Sequence, residues 1–231
     1  MPIITTRKLI TYLLIKSENY STKNHVVLIA NGSFPKQPEL LQIINNAEYI
    51  ICCDGAVNSM HKTSREADLV VGDLDSIDNK SFKNKKTPTI AMPSQNDNDL
   101  RKTLSYISRM KVKKITMLGI TGLREDHTLG NIAGFLYNKY DFEIEVLTDT
   151  GHFCIINKSK TIQTFVGQSI SLFCINDQQK ITTEGLKYKL KNRSINLYNA
   201  TLNIAEREQV IINLKLDIPV LVYLCYKNEK N

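Results

Sequence analysis

The sequence predicts two architectures in one chain: an α/β domain on a doubly wound, mostly parallel sheet, followed by an all-β antiparallel sandwich. Three observations carry this. From His25 to Leu147 short, continuously apolar runs alternate with helix-like segments at βαβ spacing, as in a parallel sheet covered on both faces. The acidic and glycine residues of that stretch fall just after the apolar runs, where the carboxyl ends of parallel strands open onto a ligand crevice. From Gly151 onward short β-rich runs are separated by polar turns with no convincing helix. The expected domains are 25–150 and 151–231, preceded by an extension, 1–24.

The first strand is His25 to Ala30, ending at Asn31-Gly32-Ser33. Pro38 suits the first turn of a helix that runs to Asn45. Tyr49 to Cys53 is the second strand; it ends at Asp54-Gly55 and leads into a short helix from Ala56 to Lys62. The third, Leu69-Val70-Val71, stops at Gly72 and delivers Asp73 and Asp75 on either side of Leu74, with Ser76 following. After a lysine-rich loop, Lys80 to Lys86, comes Pro88 to Met92, stopped by Pro93. Ser94-Gln95-Asn96-Asp97-Asn98-Asp99 then precedes Leu100, Thr103, Leu104 and Ile107 at helical spacing. Asp and Asn are favoured at a helix start by capping and by the helix dipole, which accounts structurally for one of Asp97 and Asp99. Lys114 to Leu118 is a further strand, ended by Gly119-Ile120-Thr121-Gly122 and followed by a helix from Thr128 to Tyr140. Glu143 to Leu147 closes the series. In the second domain, strands are expected at 161–166, 169–175, 209–214 and 220–226.

With 231 residues and 42% hydrophobic content the chain can bury a substantial core. No apolar run approaches the roughly 20 residues that cross a bilayer, so no membrane association is expected. Residues 1–24 lack the long apolar region and cleavage site of a secretory signal. Arg7, Lys8 and the threonines leave a transit-peptide reading beside that of an uninformative extension. The five cysteines are odd in number, mostly inside apolar runs and never spaced C-x-x-C. They read as core residues in a reducing compartment, with neither a disulfide framework nor a zinc site, and a cytoplasmic location is expected. The net charge of +7 suits an anionic partner. Lys and Arg are spread along the chain, tryptophan is absent and no ribonucleoprotein pattern occurs, so charge alone decides little between a nucleotide and a nucleic acid; no nucleic-acid partner is expected.

Asn31, Asp54, Asp73 with Asp75, and the Gly119 to Arg124 turn all follow strands and so converge at one end of the sheet. Oxygen-only ligands select a hard cation such as Mg²⁺, which takes one or two carboxylates and leaves its other positions to water and phosphates. Arg124, Lys102, Arg101 and helix N-termini supply positive charge for the phosphates. There is no G-x-x-x-x-G-K-[ST] and no G-x-G-x-x-G after the first strand. The pattern points to metal-assisted phosphoryl or pyrophosphoryl transfer outside the commonest nucleotide folds.

As a set, Cys53-Asp54-Gly55-Ala56-Val57-Asn58, Gly72 to Ser76, Gln95 to Lys102, Leu118 to His127 and Thr182-Thr183-Glu184-Gly185-Leu186-Lys187-Tyr188 resemble, in order and spacing, the motifs of the thiamine pyrophosphokinase family. The resemblance covers roughly residues 25 to 226. It implies a catalytic α/β domain, a C-terminal β-sandwich, a homodimer with thiamine between subunits, and transfer of the pyrophosphoryl group of ATP to the thiamine hydroxyl with release of AMP. By position it implies Mg²⁺ on Asp73, Asp75 and Asp99, with Arg124 joining these three in catalysis. The ATP-binding set it suggests is Asn31, Asp54, Gly55, Asn58, Gly72, Ser76, Lys102, Gly119, Gly122, Arg124, Asp126 and His127. Gln95, Asp99, Tyr188 and Ser194 are the expected thiamine contacts, Tyr188 by laying its ring on the cationic heterocycle unless it is an ordinary sandwich-core tyrosine.

The chain also departs from the family pattern. Ala56 and Leu123 stand where second glycines are usual, Ser94 and Asn98 where an acid and a threonine are, and Ala205-Glu206 where a Ser-Asn pair is expected. Ser194 is the substitute considered for the missing serine. Phosphoryl transfer asks mainly for positioning and electrostatics; no histidine is well placed as a base, and a carboxylate such as Asp75 or Asp99 could take the hydroxyl proton, an assignment the sequence leaves open. Two other readings accompany this one: another DxD-dependent transferase or phosphatase, and a non-catalytic thiamine or nucleotide sensor on the same fold.

Overall fold

The computed structural model describes residues 25–78, 87–93 and 97–226, and the chain divides into two compact units. One holds the described residues up to Ile132 together with Tyr140–Asp149; the other holds Ala133–Lys139 and the described residues from Thr150 onward. The extension 1–24 lies outside the described residues, as do Lys80 to Lys86 and Gln95.

In the first unit β1 (His25–Ile29), β2 (Ile50–Cys53), β3 (Leu69–Gly72), β4 (Thr89–Ala91), β5 (Lys114–Leu118) and β6 (Glu143–Leu147) line up in the order β6-β5-β1-β2-β3-β4. Every pairing among them is parallel. The order runs outward in both directions from β1 and β5, which makes their boundary the switch point of a doubly wound sheet. The inner strands β1, β2, β3 and β5 are buried almost throughout, as their uninterrupted apolar runs require.

Helix α1 (Pro38–Asn45) begins with proline, whose fixed φ and missing N–H suit a first turn, and buries Leu40 and Ile44, one turn apart. Its entry is held by Asp149, whose Oδ1 accepts from the backbone N–H of Lys36 at 2.9 Å and of Gln37 at 3.0 Å. Asp54–Lys62 is a 3₁₀ helix and not the α-helix expected from Ala56; its Gly, Asn and Ser residues favour α-helix weakly, while Ala56, Val57 and Met60 anchor it in the core of β1, β2 and α1. Helix α2 (Asp99–Ile107) packs beside β3, and α3 (Glu125–Tyr137) starts three residues before the expected Thr128. The acids Glu125 and Asp126 occupy its first turn, where the dipole favours them.

The second unit holds a four-stranded antiparallel sheet, β11 (Asn203–Ile204), β9 (Ser169–Phe173), β13 (Val220–Cys225) and β7 (Gly151–Ile156), in that order. A three-stranded one orders β10 (Ile181–Glu184), β12 (Gln209–Leu214) and β8 (Lys160–Gln163). Alternate residues of both, among them Ile170, Leu172, Ile181, Val210, Ile212, Val222 and Leu224, share one apolar core, as in a sandwich. The α/β plus antiparallel sandwich class expected from the sequence is the class observed. Among the described residues no helix is long and apolar enough to cross a membrane.

Candidate active site

The site is built where β2 and β3 end side by side. Asp54 follows β2 with a left-handed backbone, φ 33°, and its Cβ presses against Gly72 at the end of β3. A Cβ on Gly72 would stand 2.6 Å from that of Asp54, so the close approach of the two strand ends requires glycine. Leu74 is also left-handed, φ 70°, and with Ile77 packs against the core of the unit. That apolar anchoring offsets the backbone strain and leaves Asp73 and Asp75 outside the core. The loop is fixed again from behind. The Ser76 N–H donates to Asp54 Oδ2 (3.2 Å), the Asn58 side-chain amide donates through Nδ2 to the Ser76 carbonyl (2.8 Å), and Asn58 Oδ1 accepts from the Asp78 N–H (2.9 Å).

Asp54, Asp73 and Asp75 each place a carboxylate oxygen within 4.8 Å of the others. Asp54 is 2% exposed, and Oδ1 of Asp54 and of Asp73 are buried without a hydrogen-bond partner. A buried, unpaired carboxylate oxygen is unfavourable unless a cation completes it. Burial pushes the Asp54 carboxyl above its ordinary range, against the hydrogen bonds from Ser76 and Gly55. Asp73 is held below it, chiefly by its hydrogen bond from Lys102. Lys102, buried in the first turn of α2, donates to Asp73 Oδ2 and Asp99 Oδ1, each at 3.0 Å. Burial opposes its charge, but these two carboxylates outweigh it and hold the ammonium above its ordinary value.

The opposite wall comes from the turns after β1 and β5. Gly32 and Ser33 donate backbone hydrogen bonds to the carbonyls of Gly119 (2.7 Å) and Thr121 (2.8 Å), zipping the two turns together. Leu123 takes a left-handed conformation, φ 64°, without glycine's freedom, and is 74% exposed. Ala56 stays out of that region; among the described residues the left-handed turn there falls on Asp54. Arg124 donates through Nε and Nη2 to Asp126 at 3.1 and 2.6 Å, an exposed fork that depresses the Asp126 carboxyl to about 2.

These elements enclose a cleft of about 430 Å³, within the range of small-molecule sites. Of the expected residues, Asn31, Asp73, Ser76, Asp99, Lys102, Gly119, Gly122, Arg124 and His127 line it. Gly55 and Gly72 lie buried at the adjoining strand ends, and Asn58 holds the Asp75 loop from behind. Asp126 meets the cleft through its pairing with Arg124. Tyr188 and Ser194 belong to the second unit. Tyr188 is 59% exposed, with Lys187 Nζ 5.6 Å from its ring centre, so it is not a core residue. The Ser194 hydroxyl accepts from Lys180 (2.6 Å) and donates to the Asp177 carbonyl (2.5 Å), so it is already engaged, while Ala205 is buried beside Leu186.

Sequence reasoning passed over Asn131, which lines the cleft, donates to the Ile120 carbonyl at 2.9 Å and accepts from Asn98 at 3.0 Å. Its signal was its place one helical turn after His127. The sequence brings Asp54 to the same end of the sheet as Asp73 and Asp75 but places it in the ATP-binding set; that its carboxylate joins theirs in one group is not readable locally, because Asp54 is 19 residues before Asp73.

Two family models match the chain: "Thiamin pyrophosphokinase, catalytic domain" over residues 40–148 and "Thiamin pyrophosphokinase, substrate-binding domain" over residues 151–223. Solved structures with a similar fold include thiamine pyrophosphokinase from Bacillus subtilis, with a TM-score of 0.72 and 20% identity over 87% of this chain and 98% of that one. The Candida albicans enzyme gives 0.72 and 16% over 90% and 94%, and the yeast enzyme 0.73 and 21% over 91% and 89%. At such identities the likeness is one of fold. No curated protein sequence matches the chain significantly.

Proposed function

The chain belongs to the thiamin pyrophosphokinase family, and from that premise we propose that it transfers the pyrophosphoryl group of ATP to the hydroxyl of thiamine, releasing AMP, in a magnesium-dependent reaction. The observation that carries the metal dependence is the pair of buried, unpartnered oxygens, Asp54 Oδ1 and Asp73 Oδ1, in an all-oxygen cluster with Asp75. That donor set fits a hard cation. Asp54, Asp73 and Asp75 would hold magnesium, which when bound supplies charge neutralisation for the phosphate oxygens.

The chain's own residues do the rest. Arg124 stands exposed at the cleft wall; Asp126 orients its guanidinium and leaves further N–H donors for phosphate. The first turn of α3 stands at the same wall, where the helix dipole favours an anion. His127 and Asn131, on that helix, line the space beside it. Thiamine recognition is assigned to the second unit, on the match of residues 151–223 to a substrate-binding domain and on the exposed ring of Tyr188, and the enzyme is read as a homodimer.

The direct test is incubation with ATP, Mg²⁺ and thiamine. AMP appearing with thiamine diphosphate is the expected result; ADP or inorganic phosphate would point to another transferase or a phosphatase, and binding without turnover to a sensor. Asp73→Asn is expected to lower magnesium-dependent kcat by about 100-fold or more, since it removes charge where charge stabilisation dominates. Near-normal turnover would contradict the metal assignment.

A further inference from the structure

We propose that Lys102 is a positioning residue: a resident cation that withdraws Asp99 from the acidic cluster and leaves Asp54, Asp73 and Asp75 as the cation-binding set. The inference rests on the magnesium-dependent reading only for the kind of ion. Of the carboxylates described at this end of the sheet, Asp97 is paired with Arg101 at 2.6 Å, and the contacts of Asp54, Asp73, Asp75 and Asp99 divide those four. Lys102 is 4% exposed, and its ammonium sits 3.0 Å from both Asp73 Oδ2 and Asp99 Oδ1. Asp99 therefore spends an oxygen on a partner one helical turn away, and it is absent from the group whose oxygens approach within 4.8 Å. Asp73 gives Lys102 one oxygen only; its Oδ1 remains buried and unpartnered, as does Oδ1 of Asp54, itself 98% buried.

Charge explains the division. Four converging carboxylates repel one another, and a compact ammonium with three donors can satisfy two at once. Placed beneath the loop, Lys102 also fixes the rotamer of Asp73, as the outer partners of metal ligands generally do. With two donors already committed inside a buried pair of bridges, it is a poor candidate for the phosphate contact that its sequence position suggests. Asp54 takes the place that Asp99 would have as the third carboxylate.

Mn²⁺ binding to the nucleotide-free protein, followed by the electron paramagnetic resonance of free Mn²⁺, tests this without reference to turnover. Asp54→Asn should weaken Mn²⁺ at least tenfold, whereas Asp99→Asn should change it less than threefold. In a Lys102→Met background Asp99 is released into the cluster, so adding Asp99→Asn should then weaken Mn²⁺ at least tenfold. If Lys102→Met fails to fold, by circular dichroism, the Asp54 and Asp99 variants on the native background still decide the question. Equal losses from Asp54→Asn and Asp99→Asn would overturn the proposal. So would an Asp99 that stays silent without Lys102, or an absence of Mn²⁺ binding at millimolar metal. A protein that shows this pattern but makes no thiamine diphosphate would keep the inference and lose the activity; the reverse result would do the opposite.

Discussion

Single positions carry conformational demands that side-chain chemistry alone does not announce. Gly72 reads as a strand-ending glycine, yet what fixes it is the Cβ of Asp54 pressed against it. Gly72→Ala should destabilise the protein by about 1–3 kcal/mol, the usual range for overpacking, and should weaken Mn²⁺ binding by displacing Asp54. Denaturant midpoints at unchanged m-value check the first and metal titration the second. Leu123 presents the converse case. It is left-handed, exposed and at a position where glycine is usual in the family, so Leu123→Gly should raise stability by up to about 1 kcal/mol as the strain of roughly 1–2 kcal/mol is relieved and part is returned as unfolded-state entropy. Ala56 looks equivalent in the sequence but is not, because the preceding Asp54 already makes the turn. Two glycine-to-larger departures of the same kind thus have opposite structural meanings, and only the backbone dihedrals separate them.

Elements were legible to the extent that their signals are local. The strands β1, β2 and β3 follow from continuous apolar runs, β5 and β6 from apolar runs interrupted by polar residues, and the short β4 from the stretch that Pro93 stops, while α1 follows from Pro38 and the Leu40 to Ile44 spacing. Helix α2 starts where Asn98 caps it, its side-chain oxygen accepting from the Arg101 N–H at 2.9 Å, as the Asn and Asp residues before Leu100 suggest. Helix α3 starts ahead of the expected Thr128 because Gly122 and Leu123 make a turn so tight that Arg124 already accepts from the Thr128 N–H at 3.1 Å. The cap on α2 is also functional in position: it begins the turn that carries Asp99 and Lys102. Asn98→Ala should lower stability by about 1 kcal/mol. Its second effect should be faster amide exchange confined to the first turn of α2, together with a loss of affinity at the cleft, because the same amide donates to Asn131 on the facing wall. An unchanged exchange rate there would mean that the helix start is held by tertiary packing alone.

Over the molecule as a whole, the sequence disclosed at which end of the sheet the acidic and glycine residues gather but not how their charges are shared. The Lys102 to Asp73 contact joins residues 29 apart and exists only because α2 docks beside β3. At the other end of the same sheet, long-range packing sets a global property. His25 opens β1, and its Nε2 lies 2.9 Å from Thr116 Oγ1 on β5. Burial, and next the ammonium of Lys114, lower its pKa from 6.5 to about 4, against the opposing charge of Glu145, which itself bridges Lys114 at 2.7 Å. The folded state therefore prefers neutral imidazole, while the unfolded chain protonates near its ordinary value. The stabilisation is fully present above pH 6.5 and declines as pH falls towards 4, because over that interval the unfolded chain binds the extra proton. At roughly 1.4 kcal/mol per pH unit, discounted for partial exposure, the loss by pH 4.5 is on the order of 2 kcal/mol. His25→Gln removes the titrating group, so its unfolding free energy should vary less than that of the native protein between pH 6.5 and 4.5 by about that amount. Above pH 7 the difference between the two should be constant, since neither titrates there at this site. Parallel stability curves through the acid limb would show instead that carboxylates, not His25, set the acid sensitivity of this fold.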